Sequence, residues 1–189
     1  MEAKSTRQRW TYAEFARLPS EGSTRYEVIG GELFVTPAPT VRHQRIVMRL
    51  STLLYSFARE HGLGEVFGSP LDVLFAEGDY VEPDILFVRS GRADLLSDRG
   101  VEGAPDLVVE VLSPATAARD RGLKLERYRH HGVPEYWIVD PDERCVETWR
   151  LAQQADKPVV VGPAGTLRWQ PVEHGAALEI PVAELFEEA

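Results

Sequence analysis

The chain has 189 residues, 43% of them hydrophobic and 27% charged, an ordinary globular composition at a length that favours one domain over two. Thirty acidic against 21 basic residues leave a formal charge of −9, which excludes a protein that coats nucleic acid through a diffuse basic surface but leaves a local basic groove open. The single cysteine, Cys145, excludes intrachain disulfides, zinc ribbons and dithiol chemistry; with no apolar signal core in Met1 to Arg7 and no membrane-spanning run, the expected setting is reducing and cytoplasmic.

Thr11 followed by Glu14 is a capping-box pattern, and Tyr12, Phe15, Ala16 and Leu18 predict a two-turn helix stopped by Pro19. From Tyr26 to Val35 two β-rich runs flank Gly30-Gly31, a link that permits the positive φ of a hairpin turn. Thr40 caps a helix predicted to reach about Glu60, because Val47, Leu50, Leu53, Leu54, Phe57 and Ala58 follow three-and-four spacing and Gly62 supplies a stop. Strand signals follow at Glu65 to Phe67, running on through Leu71 to Phe75, then after a Gly78-Asp79 turn at Asp84 to Val88 and at Leu107 to Leu112. Arg89 to Pro105 reads as loop with a short helical turn. Thr116 to His131 predicts a second helix ended by Gly132, and Glu135 to Val139 and Arg144 to Leu151 predict strands around Pro141-Asp142. Beyond Ala152 come short β pieces and, after Pro181, a last helical turn. With no repeat or low-complexity linker, this order predicts a single mixed α/β (α+β) domain over residues 1–189.

Two of the strands that read as buried carry carboxylates. The period of two puts Glu110 on the face of Val108 and Leu112, with Val109 and Val111 opposite, so an acid stands in the middle of a core strand, where a charge is costly unless paired or bound to a cation. Asp84 sits at the mouth of a run that then becomes wholly apolar. Converging carboxylates of this kind are the hard oxygen ligands that a magnesium ion takes. For Asp84 or Asp106 alone, a strand-end acid satisfied by an amide or an arginine explains as much. A cation follows at Lys124, conspicuous in a chain with 18 arginines and three lysines. An Asp120 to Lys124 surface pair accounts for it equally well.

Pro83-Asp84 on one strand, Glu110 on the next and a lysine close behind resemble the PD-(D/E)XK nuclease superfamily, with its restriction-endonuclease-like fold. More closely, the chain resembles the Uma-type (Uma two) restriction endonucleases. The resemblance rests on Tyr26 to Leu33, Val81 to Ile85, Ala104 to Pro114, Arg119-Asp120 with Lys124, and Gly132 to Pro141. It implies a mixed β-sheet flanked by helices, with an extra N-terminal hairpin and C-terminal β segments. Asp84 and Glu110 then become ligands of Mg2+ (or Mn2+), and Lys124 the catalytic lysine displaced onto a helix, because the usual position two after the glutamate is Leu112. His43, at the start of the long helix, is a further candidate that a cap or packing role explains as readily. Glu27 and Glu32, flanking the hairpin turn, are weaker candidates.

Charge is segregated along the chain. Residues 40–61 hold Arg42, Arg45, Arg49 and Arg59 against Glu60, a local +3, and residues 115–131 hold Arg119, Arg121, Lys124, Arg127 and Arg129 against Asp120 and Glu126, also +3. Arg42, Arg45, Arg49, Arg119 and Arg121 are thus the candidate nucleic-acid contacts, although solvated helix faces read the same way. No Gly-x-Ser-x-Gly, Walker, Gly-x-Gly-x-x-Gly or His-x-x-x-His motif points elsewhere. The expected function is Mg2+-dependent endonucleolytic hydrolysis of phosphodiester bonds in DNA. The alternative, favoured by Leu112, is an inactive nuclease-fold module for nucleic-acid binding or homodimerisation. The apolar strands around Tyr136 and Trp149 suit a homodimer or a core alike.

Overall fold

The computed structural model describes residues 9–19, 25–76 and 78–187; the start read above for a signal segment lies outside them. Helix α1 (Tyr12–Phe15) forms its capping box, the Glu14 N–H donating to the Thr11 hydroxyl and the Thr11 N–H to the Glu14 carboxylate. It is a single turn, not the expected two, because the Arg17 and Leu18 N–H groups bond three residues back and close the helix before Pro19. Strands β1 (Arg25–Ile29) and β2 (Glu32–Thr36) make the expected hairpin, with Gly30 and Gly31 at φ +61° and +86°. Helix α2 (Val41–Glu60) starts at Thr40, whose side chain accepts from the His43 N–H.

The run from Glu65 to Phe75 is two strands in different sheets, β3 (Gly64–Gly68) and β4 (Val73–Ala76), because Pro70 offers no N–H to carry a ladder onward. Strands β5 (Asp79–Val81) and β6 (Ile85–Arg89) follow. A 3₁₀ turn and the short pair β7 (Leu96–Ser97) and β8 (Gly100–Val101) lead to β9 (Leu107–Val111). The helix expected over Thr116 to His131 is α3 (Ala117–Arg119), a π-helical turn (Asp120–Lys124) and α4 (Leu125–His130). Strands β10 (Glu135–Asp140), β11 (Cys145–Arg150), β12 (Val159–Val161), β13 (Thr166–Trp169) and β14 (Leu178–Pro181) precede the last helical turn, α5 (Val182–Leu185).

The central sheet has the order β12-β11-β10-β9-β6-β3, with β9 and β10 parallel and the other pairs antiparallel. Along it, Phe87, Val109, Trp137 and Val139 face Ile46, Leu50 and Leu54 of α2. The alternate residues Leu86, Val88, Val108 and Ile138 pack toward α4 and a second sheet, ordered β2-β1-β5-β4-β8-β7. Burial on both faces explains why β9 reads as a continuous apolar run and not an alternating one. It also places Tyr136, which is wholly buried in this second layer, with Trp149 partly buried beside it. Buried Asp79 ties the layers together, accepting from Gly30 N–H at 2.8 Å, Arg127 Nε at 3.0 Å and His131 Nε2 at 3.0 Å. Among the described residues no helix is long and apolar enough to cross a membrane.

Leu54 is fully buried between α2 and the central sheet. Leu54→Ala is expected to lower unfolding stability by about 3 kcal/mol, through lost transfer energy and a residual cavity, seen as a lower urea midpoint at unchanged slope.

Candidate active site

Strands β6 and β9 run antiparallel with Ile85 opposite Val109, so the entry to β6 meets the exit of β9. There Asp84 receives three donors from three elements: the Val111 N–H at 2.9 Å, His43 Nε2 at 3.0 Å and Arg25 Nη1 at 2.9 Å. Burial alone raises its pKa, but His43, Arg25 and the Val111 amide outweigh it and hold Asp84 below the usual carboxylate range.

Glu110, one residue before Val111, points to the other face of the sheet. Lys124 Nζ (2.7 Å) and the Tyr128 hydroxyl (2.8 Å) both donate to its Oε1. The same ammonium lies 2.7 Å from Glu27 Oε1 on β1 and 3.9 Å from Asp120 Oδ1. Asp120, Lys124 and Tyr128 follow one another at intervals of four, all buried, along the face of the π-to-α segment turned to the sheet; π turns recur at functional sites. The Asp120 to Lys124 pair is therefore no surface pair. Leu112 fills the same sheet face with core packing.

The electrostatics of the two acids diverge. Burial pushes Glu110 up to about 8, Lys124 opposing and Asp120, Asp84 and Glu27 reinforcing. Burial also works against the Lys124 ammonium, but Glu110, Glu27 and Asp120 together hold its pKa above the usual lysine range. The lysine keeps its proton, and Glu110 is the carboxylate whose charge is least favoured. Beside them Glu82 is pushed up to about 7, by burial first and then by Asp72.

These groups line one cavity of about 200 Å³, walled by Pro37-Ala38-Pro39 on one side and Ser113 to Thr116 on the other. Among the described residues, the buried side-chain atoms lacking a hydrogen-bond partner are Arg25 Nε, His43 Nδ1, Glu82 Oε2, Arg119 Nε, Asp120 Oδ1 and Trp149 Nε1. All but the last belong to residues of this cavity, so its wall is not self-satisfied. A carboxylate offers about four lone-pair sites. Asp84 uses two on Oδ2 and one on Oδ1, and Glu110 shows both of its bonds on Oε1, so each keeps oxygen capacity for a cation. Among the described residues no three His, Cys, Asp or Glu side chains stand ready-spaced for a metal. Two carboxylates with water and phosphate completing the shell is the manner in which magnesium is bound, and the all-oxygen donor set fits it.

Asp84, Glu110, Lys124 and His43 thus line one cavity. Arg119 joins them: its Nη2 donates to Thr36 Oγ1 at 2.8 Å and lies 3.4 Å from Glu27 Oε2. The other predicted arginines do not. Arg121 is bound to Asp140 and Glu147, Arg42 to Asp142 and the Pro141 carbonyl, and Arg49 to the Leu185 and Glu187 carbonyls. With exposed Arg45, the latter two line a separate cavity of about 210 Å³. Asp106 is satisfied by Arg89 and Arg92, the plainer of its two readings. Arg25, Tyr128, Glu82 and the full weight of Glu27 escape the sequence reading. For Glu27 a signal existed, an acid inside the β-rich run Tyr26 to Ile29, the same mark that singles out Glu110.

A family model, Uma2, described as "Putative restriction endonuclease", matches residues 12–183. Two uncharacterized proteins of Synechocystis sp. (strain PCC 6803) are similar: sll1609 is 26% identical over 132 residues, 69% of this chain and 74% of that one. The other, slr1290, is 31% identical over 127 residues, 67% of this chain and 65% of its own length. The crystal structure of "a putative nuclease belonging to DUF820" from Anabaena variabilis superposes with a TM-score of 0.77 at 23% identity, covering 94% of this chain and 97% of that one. At that identity the likeness speaks for a shared fold.

Lys124→Met removes the ammonium and leaves Glu27 and Glu110 facing each other. The expected cost is about 3 kcal/mol or more, larger at pH 8 than at pH 5, because Glu110, already raised by burial, relieves it at the lower pH by taking up a proton. Chemical denaturation at the two pH values measures it. Glu82, whose folded pKa stands above its unfolded value, contributes stability that is present below pH 4.5 and lost as pH rises through about 7. Glu82→Gln is accordingly expected to lose less stability than wild type between pH 5 and pH 8, and an equal loss in both proteins refutes the assignment.

Proposed function

The chain belongs to the Uma2 family, and from that premise we propose that its cavity is the active centre of a Mg2+- or Mn2+-dependent endonuclease that hydrolyses phosphodiester bonds in DNA. The observation that carries the reading is the convergence of Asp84, Glu110 and Lys124 on one cavity, from the entry to β6, from β9 and from the π turn. Asp84 and Glu110 would hold the divalent ion, whose chemistry at that place is to offset negative charge on the phosphoryl oxygens.

The chain's own residues supply the rest. Arg25, His43 and the Val111 amide orient Asp84 and keep it ionised, so a cation ligand is present at any physiological pH. Lys124 brings a fixed positive charge next to Glu110, placed to stabilise charge that develops on the phosphate or to orient the attacking water. Tyr128 and Glu27 fix the carboxylate and the ammonium relative to each other. Preorganised dipoles of this kind in a water-poor pocket act without reorganising during the reaction.

A second reading is a module that keeps the fold and binds nucleic acid, or a second copy, without catalysis. It is favoured by Leu112 at the usual lysine position and by the engagement of Lys124 with Glu27 as well as Glu110. Nicking of supercoiled plasmid with Mg2+ or Mn2+ separates the two. Wild type is expected to nick and to stop on chelation, while Asp84→Asn, Glu110→Gln and Lys124→Ala, each checked for folding by circular dichroism, lose about 100-fold or more. An inert wild type, or folded variants that cut as well as wild type, overturns the enzymatic reading.

A further inference from the structure

We infer that the substrate strand is unpaired where it enters the site: the cavity takes a phosphodiester from a single strand or a flap and not from within an intact duplex. The inference rests on the nuclease reading above and deepens it by naming the substrate class.

Depth is the first argument. The side chains of Asp84, Glu110 and Lys124 are only 4%, 5% and 3% exposed. Groups that act on a phosphate must come within hydrogen-bond reach of it, roughly 3 Å, so the phosphate has to pass inside the protein. Width is the second. About 200 Å³ lies below the roughly 300–1,000 Å³ of pockets that enclose a drug-sized molecule, room for a phosphate with part of its sugar and not for paired strands. The flanking loops carry Pro37, Pro39 and Pro114, whose locked φ angles resist splaying.

Charge is the third argument and is independent of cavity shape. Binding along a duplex draws on many phosphate contacts spread over a basic surface. Here most of the arginines on the two basic helices that could form such a surface are engaged with the protein itself, Arg45 being an exposed exception. Arg42, Arg121 and Arg127 pair with Asp142, with Asp140 and Glu147, and with Asp79, and Arg49 donates to backbone carbonyls of the C-terminal segment. The guanidinium groups that reach the cavity are Arg25 and Arg119, each with a buried Nε that has no partner among the described residues. Each also holds a protein partner, Arg25 with Asp84 and Arg119 with Thr36, so what they offer a ligand is the unpaired Nε and the remaining N–H groups, enough for one phosphate and not for a row of them. A phosphate inside a duplex belongs to a stiff double-stranded backbone that bends into a recessed site only at a deformation cost, whereas a free strand bends its backbone into it easily.

The test uses the full chain and fluorescein-labelled DNA of one sequence as a single strand, a blunt duplex and a duplex with a 5′ flap. Binding is read by anisotropy with Ca2+, and cutting on gels with Mg2+ or Mn2+. The single strand and the flap are expected to bind at least about tenfold tighter than the blunt duplex, with cuts confined to unpaired nucleotides. Arg119→Ala is expected to weaken the single strand about fivefold or more and the duplex hardly at all. A duplex bound as tightly as the strand, internal duplex cuts at equal rate, or no binding of any form overturns the inference. Preferential binding of unpaired DNA with no cutting by either metal upholds it and defeats the hydrolase reading instead.

Discussion

The arrangement depends on where the Lys124 ammonium is held. A charge moved from water into the interior costs several kcal/mol, and it is tolerated here because Glu27 and Glu110 each approach it at 2.7 Å and Asp120 stands behind them. Those acids come from β1, β9 and the π turn, so the ion cluster fixes the second sheet, the central sheet and the α3–α4 segment in one mutual position. Apolar packing alone would let these layers shift by small amounts at little cost; buried charges do not. The Asp79 junction repeats the device at the other end of α4, with Arg127 as the cation and His131 as a second donor.

The same constraint divides the labour between the two strand acids. Asp84, at the entry to β6, and Glu110, on β9, are close neighbours, yet their surroundings drive them in opposite directions, Asp84 downward through three donors and Glu110 upward through burial among other carboxylates. Pairs of acids separated in this way are a mark of sites that need one permanent anion and one group that can share a proton. The orphaned polar atoms along the cavity wall point the same way. A purely structural ion cluster would be expected to satisfy its members, and the cavity wall leaves five buried atoms without a partner among the described residues.

Much of this is legible in the sequence, and the part that is not has a physical reason. Glu110 announces itself because nothing apolar balances an acid in mid-strand, and the period of two correctly assigns its face. Lys124 stands out by rarity alone. Glu27 carries the same mark as Glu110, but a nearby Gly-Gly turn offers an easier explanation, and its pairing with a lysine 97 positions away leaves no periodic trace. The π turn is equally silent, since one residue's widening hardly disturbs helical spacing. The break at Pro70 was there to be read, as a proline inside an apparent strand argues against its continuity. Charge sums mislead most. Local totals of +3 describe the helices faithfully but not the acids and carbonyls folded against them, and the expected basic strip is largely consumed within the protein.

The departure at Leu112 then takes on a different meaning. On β9, position 112 shares the face of Glu110, and a lysine there would have to bury its stem among the residues that Leu112 now packs beside, in the layer of Leu125 and Tyr128. On the proposed nuclease reading, a lysine on the facing π turn keeps the ammonium at the carboxylate while leaving the strand position to the core. What the chemistry requires is a charge at a point in space, not at a place in the chain, and two elements that face each other can exchange the duty of supplying it. The exchange has a consequence for specificity. A lysine delivered from the helix side is enclosed by the β1 hairpin as well as by the sheet, which adds a wall to the cavity that a strand-borne lysine would not need. On that reading the placing of the lysine and the depth of the site are two aspects of one arrangement, and a recessed centre in an acidic protein follows from where the buried Lys124 ammonium is held.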